Sequence, residues 1–217
     1  LRRCSMTARW VRIGNSNVAS NIVRRPVPTP QALAGLGTVG PLLARIYAAR
    51  EVCTLEEVDH TLPRLQPFHG LLGLDVAVDL LQSAIAADER ILIVGDFDAD
   101  GATSTAVAVR ALRALGANHV DYLVPNRFTF GYGLTPEIVD VAAERNPHLI
   151  VTVDNGISSH EGVERAKAFG IRVVITDHHL PPETLPNAEA IVNPNQRGDN
   201  SSLGSMAGVW VIFYVML

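Results

Sequence analysis

From residue 91 to the end, short apolar runs alternate with stretches of helical periodicity. "ILIV" (91–94), "VDYLV" (120–124), "HLIVTVDNG" (148–156), "IRVVIT" (171–176) and "AIVN" (190–193) read as strands bounded by polar turns. Between them, "ATSTAVAVRALRALG" reads as a helix stopped by Gly116. Only Arg110 and Arg113 mark a polar stripe on it, so most of its surface is expected to be buried. "TPEIVDVAAERN" carries Thr135 as cap and Pro136 in its first turn, and "SSHEGVERAKAFG" offers Ser158 and Glu161 at capping-box spacing. This alternation predicts an α/β fold, a parallel sheet with helices on both faces.

The first ninety residues have a different pattern. Residues 1–40, with Arg24-Arg25 before "PVPTP", read as a weakly structured arm, and residues 41–90 as a helical segment. Within that segment Thr54 and Glu57 have capping-box spacing, and Pro63 ends the helix they start. Asp75 is the expected cap of a second helix with Val76, Leu80, Leu81 and Ile85 on its apolar face. The short helices are thus expected to precede an α/β core over 91–217.

Composition narrows the class. Apolar residues are 47 % and charged residues 18 %, a globular balance, and the net charge of −4 gives no overall attraction for nucleic acid. Cys4 and Cys53 form no metal or redox spacing, which suits a reducing, cytoplasmic setting. The longest apolar run, "MAGVWVIFYVML" (206–217), falls short of the roughly 20 residues of a membrane-spanning helix. It reads as a core element cut in mid-course, which predicts a fragment with apolar surface exposed there and poor solubility.

The chemistry gathers where the strands end. "DFDAD" comes after the first strand, "PNR" after the second, "DNG" after the third and "DHH" after the fourth. In parallel sheets, ligands bind beyond the carboxyl ends of the strands. In extended backbone Asp96, Asp98 and Asp100 would share a face about 7 Å apart, and at an effective dielectric of about 20 each pair would repel by roughly 2–3 kcal/mol. A solvated acidic turn is the bland explanation of any Asp-x-Asp. Recurrence of Asp154 and His178-His179 at equivalent strand ends argues against it here. The remaining histidines, His60, His69, His119, His148 and His160, lack clustered acids and read as structural or surface residues.

Several chemistries can be weighed. "DFDADG" matches the start of an EF-hand calcium loop, but position twelve is Val107 instead of Glu and a strand precedes the loop. A haloacid-dehalogenase-type phosphatase would make Asp98 a nucleophile, yet leaves His178 and His179 without a task. No G-x-G-x-x-G and no GK[ST] is present, which disfavours dinucleotide and P-loop sites. A two-metal hydrolase uses all the clusters: carboxylates and imidazoles suit Mn²⁺ or Mg²⁺, which can activate a water and neutralise an attacked phosphate. Candidate substrate contacts are Ser104 at the helix start, Asn126 and Arg127 after the second strand, and Asn155 after the third. Phe128, Phe130 and Tyr132 offer stacking faces for bases.

"GDFDADGATS", "VPNRF…GYGL", "IVTVDNGISS" and "TDHHLP…NPN" resemble the DHH phosphoesterase superfamily and, within it, the RecJ family of single-stranded-DNA-specific exonucleases. The likeness runs from about residue 50 to the end. It implies that Asp98 and Asp100 bind metal, that Asp154 bridges two ions and that His178 is a ligand, with Asp96 and His179 lining the same centre. It also implies 5′-to-3′ release of mononucleotides from single-stranded DNA in recombination and repair, with helicase or single-strand-binding proteins as partners. Two departures stand out: Thr129-Phe130 where an acid is expected, and Trp210 where a small glycine is usual. A further metal-binding aspartate is expected beyond Leu217. The competing expectations are a non-catalytic DHH-like binding or scaffold module, and an oligoribonuclease or pyrophosphatase of the same superfamily.

Overall fold

The computed structural model describes residues 11–12, 23–24, 28–59, 61, 63 and 65–217, so His60 falls outside it. The chain separates into two units, Leu1–Gln66 and Pro67–Leu217. In the first, β1 (Val11–Arg12) and β2 (Val23–Arg24) pair antiparallel. Within the stretch expected as an arm, α1 (Pro30–Ala34) begins at Thr29, whose hydroxyl accepts from the Ala32 amide. α2 (Pro41–Ala48) joins it around Leu36, Ala44 and Ala48. Glu57 reaches back as its spacing predicts, accepting from the Thr54 and Cys53 amides at 2.9 Å, but the element capped in this way is a single 3₁₀ turn, Leu55–Val58.

The second unit holds α3 (Leu74–Ala86), β3 (Ile91–Val94), α4 (Ala99–Ala114), β4 (Val120–Leu123), α5 (Arg127–Phe130) and α6 (Pro136–Ala143). β5 (Leu149–Val153), α7 (His160–Ala168), β6 (Arg172–Thr176), β7 (Ala190–Val192) and α8 (Gly208–Met216) complete it. The strands form one sheet in the order β4-β3-β5-β6-β7, every pair parallel. Leu92, Val94, Ile150, Val173 and Ile175 point to α6 and α7, where Leu134, Ile138, Val139 and Val163 meet them. The alternate residues Ile91, Ile93, Leu149, Val151 and Val174, no more than 1 % exposed, face the other way, beneath α4 and α8. Both faces are covered, as the continuous apolar strands predict.

The chain leaves β3 for β4 on one side and returns to β5 on the other. The order therefore reverses between β3 and β5, the crevice where parallel sheets bind ligands.

Several local expectations need correction. α3 buries Leu74, Ala77, Leu81 and Ala84, while Val76 is half exposed; its cap is Gly73, with Asp75 one residue inside the helix. Ser158 does not cap α7: Ser159 stands there, and its hydroxyl instead accepts from the Leu134 amide at 3.1 Å. The terminal apolar run is less exposed than expected. α8 buries Val211, Ile212, Tyr214 and Val215 against the sheet and α4, leaving Trp210 and Leu217 outside. Trp210, which stands where the resemblance leads one to expect a small glycine, points outward. Among the described residues no helix is long and apolar enough to cross a membrane.

Candidate metal centre

The acidic cluster is built around the start of α4. Asp98 is its N-cap, with Oδ1 accepting from the Asp100 and Gly101 amides at 3.1 Å. The helix thus begins at Ala99, earlier than the pattern suggests, and Asp100 lies in its first turn. The three aspartates do not share one extended face, as the spacing implied. Gly101 permits this turn: a Cβ there would stand 2.5 Å from the Asp96 carbonyl carbon and 2.6 Å from its Cα. That glycine belongs to a tight strand-to-helix turn and not to a calcium loop.

Each acid has a distinct environment. Asp96, 5 % exposed, accepts from the Phe97 amide at 2.7 Å and is gripped in two-point fashion by Arg127, whose Nε lies 2.9 Å from Oδ1 and whose second nitrogen meets Oδ2. That pairing raises the Arg127 pKa. Asp98 Oδ2 is 3.6 Å from the same guanidinium. Asp100 reaches the other way, accepting from the Gly208 and Val209 amides of α8 at 2.7 and 2.8 Å.

Asp154 stands just after β5 in the left-handed region, with φ of 62°. Its side chain is 2 % exposed, and its buried Oδ1 accepts no hydrogen bond although His178 Nε2 faces it at 3.1 Å. A carboxylate oxygen and an imidazole nitrogen held this way could both face one cation. His178 Nε2 also lies 3.7 Å from Asp100 Oδ2. Ligand atoms of Asp154, His178 and His179 fall within 4.8 Å of one another, and so do those of Asp96, Asp98 and Asp154. Asp154 is common to both groups. The donor set of carboxylate oxygens and imidazole nitrogen fits divalent Mn²⁺ or Mg²⁺.

The DHH turn is held from beneath. Asp177 is fully buried and accepts from the Ile157, His178 and His179 amides and from His179 Nδ1, the last at 2.7 Å. Burial pushes this carboxyl up, but the bonds from His179 and Ile157 outweigh it and leave the pKa lowered. The bond to Asp177 in turn raises His179. Asn193 Nδ2 donates to the His179 carbonyl at 2.9 Å, and Asn195 Nδ2 to the His178 carbonyl at 2.5 Å. The Tyr132 hydroxyl lies 3.2 Å from His179 Nδ1 and 3.4 Å from Nε2; burial, more than the acids around it, pushes its pKa up.

The structure therefore brings Asp96, Asp98, Asp100, Asp154, His178, His179 and Arg127 together. It does not bring all the expected substrate contacts with them. Ser104 is 0 % exposed on the inner face of α4. Asn155 is 1 % exposed, its amide donating to the Val94 and Val153 carbonyls at 3.1 and 2.9 Å, so it clasps β3 to β5. Asn126 caps α5 by accepting from the Phe128 amide at 3.0 Å. Sequence reasoning missed the holding roles of Asp177, Asn193 and Asn195, although "DHH" and "NPN" both stood out as motifs. His148 and His119 sit at the opposite strand ends, where His148 Nδ1 accepts from the Arg90 amide at 3.0 Å.

Burial, then Asp100 and Asp98, push the Asp154 carboxyl up to about 7, with Asp177 adding to the rise and His179 opposing it. Such a group binds its proton more tightly folded than unfolded between its ordinary value of 3.8 and about 7, so its contribution to stability falls as pH rises through that window. The raised His179 acts in the same sense, contributing below its ordinary value of 6.5 and losing that contribution as pH rises through the raised one. Asp177 opposes them only in acid, below its ordinary 3.8. Chelated protein should accordingly melt at a lower temperature at about pH 8 than at about pH 5.5, and Mn²⁺ should raise the melting temperature more at the higher pH. Scanning calorimetry at both pH values, with and without chelator, checks this.

The parallel sheet, the aspartates at the β3 and β5 ends and the Asp-His-His turn after β6 form one carboxylate–imidazole cluster that could hold divalent metal. Residues 90–217 match the family model "DHH family, N-terminal domain", and the chain belongs to the DHH family. It is 56 % identical over 177 residues to the single-stranded-DNA-specific exonuclease RecJ of Escherichia coli, covering 82 % of this chain and 31 % of that protein. To RecJ of Haemophilus influenzae it is 51 % identical over 196 residues, covering 90 % of this chain and 33 % of that one. The chain thus spans about a third of the length of the curated relatives it matches. A solved RecJ from Thermus thermophilus in complex with Mn²⁺ superposes with a TM-score of 0.67 at 32 % identity, covering 88 % of this chain and 27 % of that one. A RecJ structure bound to manganese gives 0.61 at 38 % identity, covering 67 % and 37 %.

Proposed function

We propose that this chain carries the metal-holding part of a single-stranded-DNA-specific exonuclease that hydrolyses phosphodiester bonds with two Mn²⁺ or Mg²⁺ ions. The observation that carries the reading is the sharing of Asp154 between two ligand groups, one with Asp96 and Asp98 and one with His178 and His179. Relatives more than half identical are RecJ exonucleases, and solved RecJ structures hold Mn²⁺ or Mg²⁺. In this reading Asp98, Asp100, Asp154 and His178 hold the ions, while Asp96 and His179, whose polar atoms fall in the same two groups, line the centre, Asp96 as partner of Arg127. Two such ions supply an activated water and neutralise charge on the attacked phosphate.

The chain's own residues do the rest. Arg127 uses two donors on Asp96, and its remaining N–H groups can bind a phosphate entering beside Asp98. Its guanidinium lies over the Phe97 and Tyr132 rings, 5.6 and 5.1 Å from their centroids, which holds it at the mouth of the site. His179, anchored by Asp177, donates to a phosphate oxygen. Cleavage runs from the 5′ end in recombination and repair, in the cytoplasm, with helicase and single-strand-binding proteins as the partners the family implies.

The test is Mn²⁺-dependent digestion of 5′-labelled and 3′-labelled single-stranded DNA, with His178→Ala as control. Labelled mononucleotide should appear first from the 5′ end and vanish with the control. Undiminished cleavage by the control would overturn the reading.

A further inference from the structure

The proposed ligand set is closed on one side by a segment that is itself no ligand. Gly208 begins α8, and a Cβ built on it would collide with Asp154 Oδ1, standing 2.8 Å from Asp154 Cγ and 2.9 Å from its Cβ. Contact with Cβ matters because that atom moves only with the backbone. Both partners are pinned. The Asp154 amide donates to the Thr176 carbonyl at 3.0 Å, and the Gly208 and Val209 amides donate to Asp100 at 2.7 and 2.8 Å. The carboxylate that a Cβ at position 208 would strike is the buried one whose Oδ1 accepts no hydrogen bond.

We infer that the amino end of α8 is a positioning wall of the metal centre: Gly208 sets where the Asp154 carboxylate sits, and the Gly208 and Val209 amides fix how Asp100 is turned. Each carboxylate oxygen has two lone pairs, so Asp100 can receive an amide and still face a cation. Groups that orient ligands in this way typically govern metal affinity by 10–100-fold. The inference rests on the metal reading proposed above. It adds that a residue more than a hundred positions from Asp100, with no side chain to offer, tunes the site through its lack of one.

The experiment is a Mn²⁺ titration by calorimetry of the parent chain and Gly208→Ala, joined to a urea-unfolding cycle of Gly208→Ala, Asp154→Gly and the double variant under chelation. Gly208→Ala is expected to bind Mn²⁺ at least about tenfold more weakly. It should also lower the urea midpoint, by much less when Asp154 has already been cut back to glycine, because the colliding atoms are then gone. Equal Mn²⁺ affinity in parent and variant would overturn the inference. So would an equal midpoint loss in both backgrounds, which would mean that Gly208 presses on something else. A Gly208→Ala chain that fails to fold, while the double variant folds, supports the collision directly. No Mn²⁺ binding by the parent would sink the metal reading itself, while the unfolding cycle would still decide whether Gly208 and Asp154 meet.

Discussion

The His178→Ala chain should bind Mn²⁺ more than about 100-fold more weakly than the parent while keeping its fold. The imidazole stands between two carboxylates, 3.1 Å from Asp154 and 3.7 Å from Asp100, and in the proposed centre would contribute the nitrogen donor that neither can replace. Its side chain is 28 % exposed, so truncation opens no sealed cavity, and the hydrogen bonds of the turn pass through the His178 main chain. Isothermal titration measures the affinity, and far-ultraviolet circular dichroism with a urea melt verifies the fold. Parent-like affinity in a folded variant would remove His178 from the ligand set. Loss of cleavage without loss of Mn²⁺ binding would instead make it a substrate contact.

Much of this site was legible because the sequence places its acids and histidines directly after apolar runs. Once those runs are strands of one parallel sheet, topology alone brings residues 96–100, 154 and 178–179 to one edge. Local pattern was less reliable where a capping side chain decides an element's start. Asp98 caps α4 in the middle of "DFDADG", so a stretch that reads as extended is already helical at Asp100. Ser104 and Asn155 stand apart from the open cluster for a related reason. Both are polar residues next to a site, but burial turns Asn155 into a bridge between strands and seals Ser104 beneath its helix.

Relations between distant segments were invisible to periodicity. The Asp100 bond to Gly208 spans 108 residues, and only the packed helix pair α4 and α8 creates it. The Asp96–Arg127 pair, 31 residues apart, has the same origin and changes the reading of Arg127. Read from sequence as a candidate substrate contact, it is also the counter-charge that lets Asp96 stay buried. Removing Arg127 would therefore disturb the acids as well as any substrate contact.

Asp177 is where the fold and the site are most tightly joined, and its truncation should be the most destabilising of the changes considered. Asp177→Ala strips an acceptor from three amides and the His179 ring, in a position that is 0 % exposed. A buried donor left unpaired costs about 1–3 kcal/mol, and breaking a buried charged pair about 3–5 kcal/mol. Water entering the gap recovers part of this, so a net loss of about 3–5 kcal/mol is expected, a large fraction of a typical domain's stability. Asp177→Asn keeps the shape and one acceptor oxygen, and should fold. It replaces the other acceptor by a donor facing donors, so the turn carrying His178 and His179 loosens. That variant should lose Mn²⁺ affinity by about 10–100-fold with only a modest shift in its urea midpoint. A purely structural Asp177 would show the reverse in Asp177→Asn, a lowered midpoint with Mn²⁺ affinity unchanged.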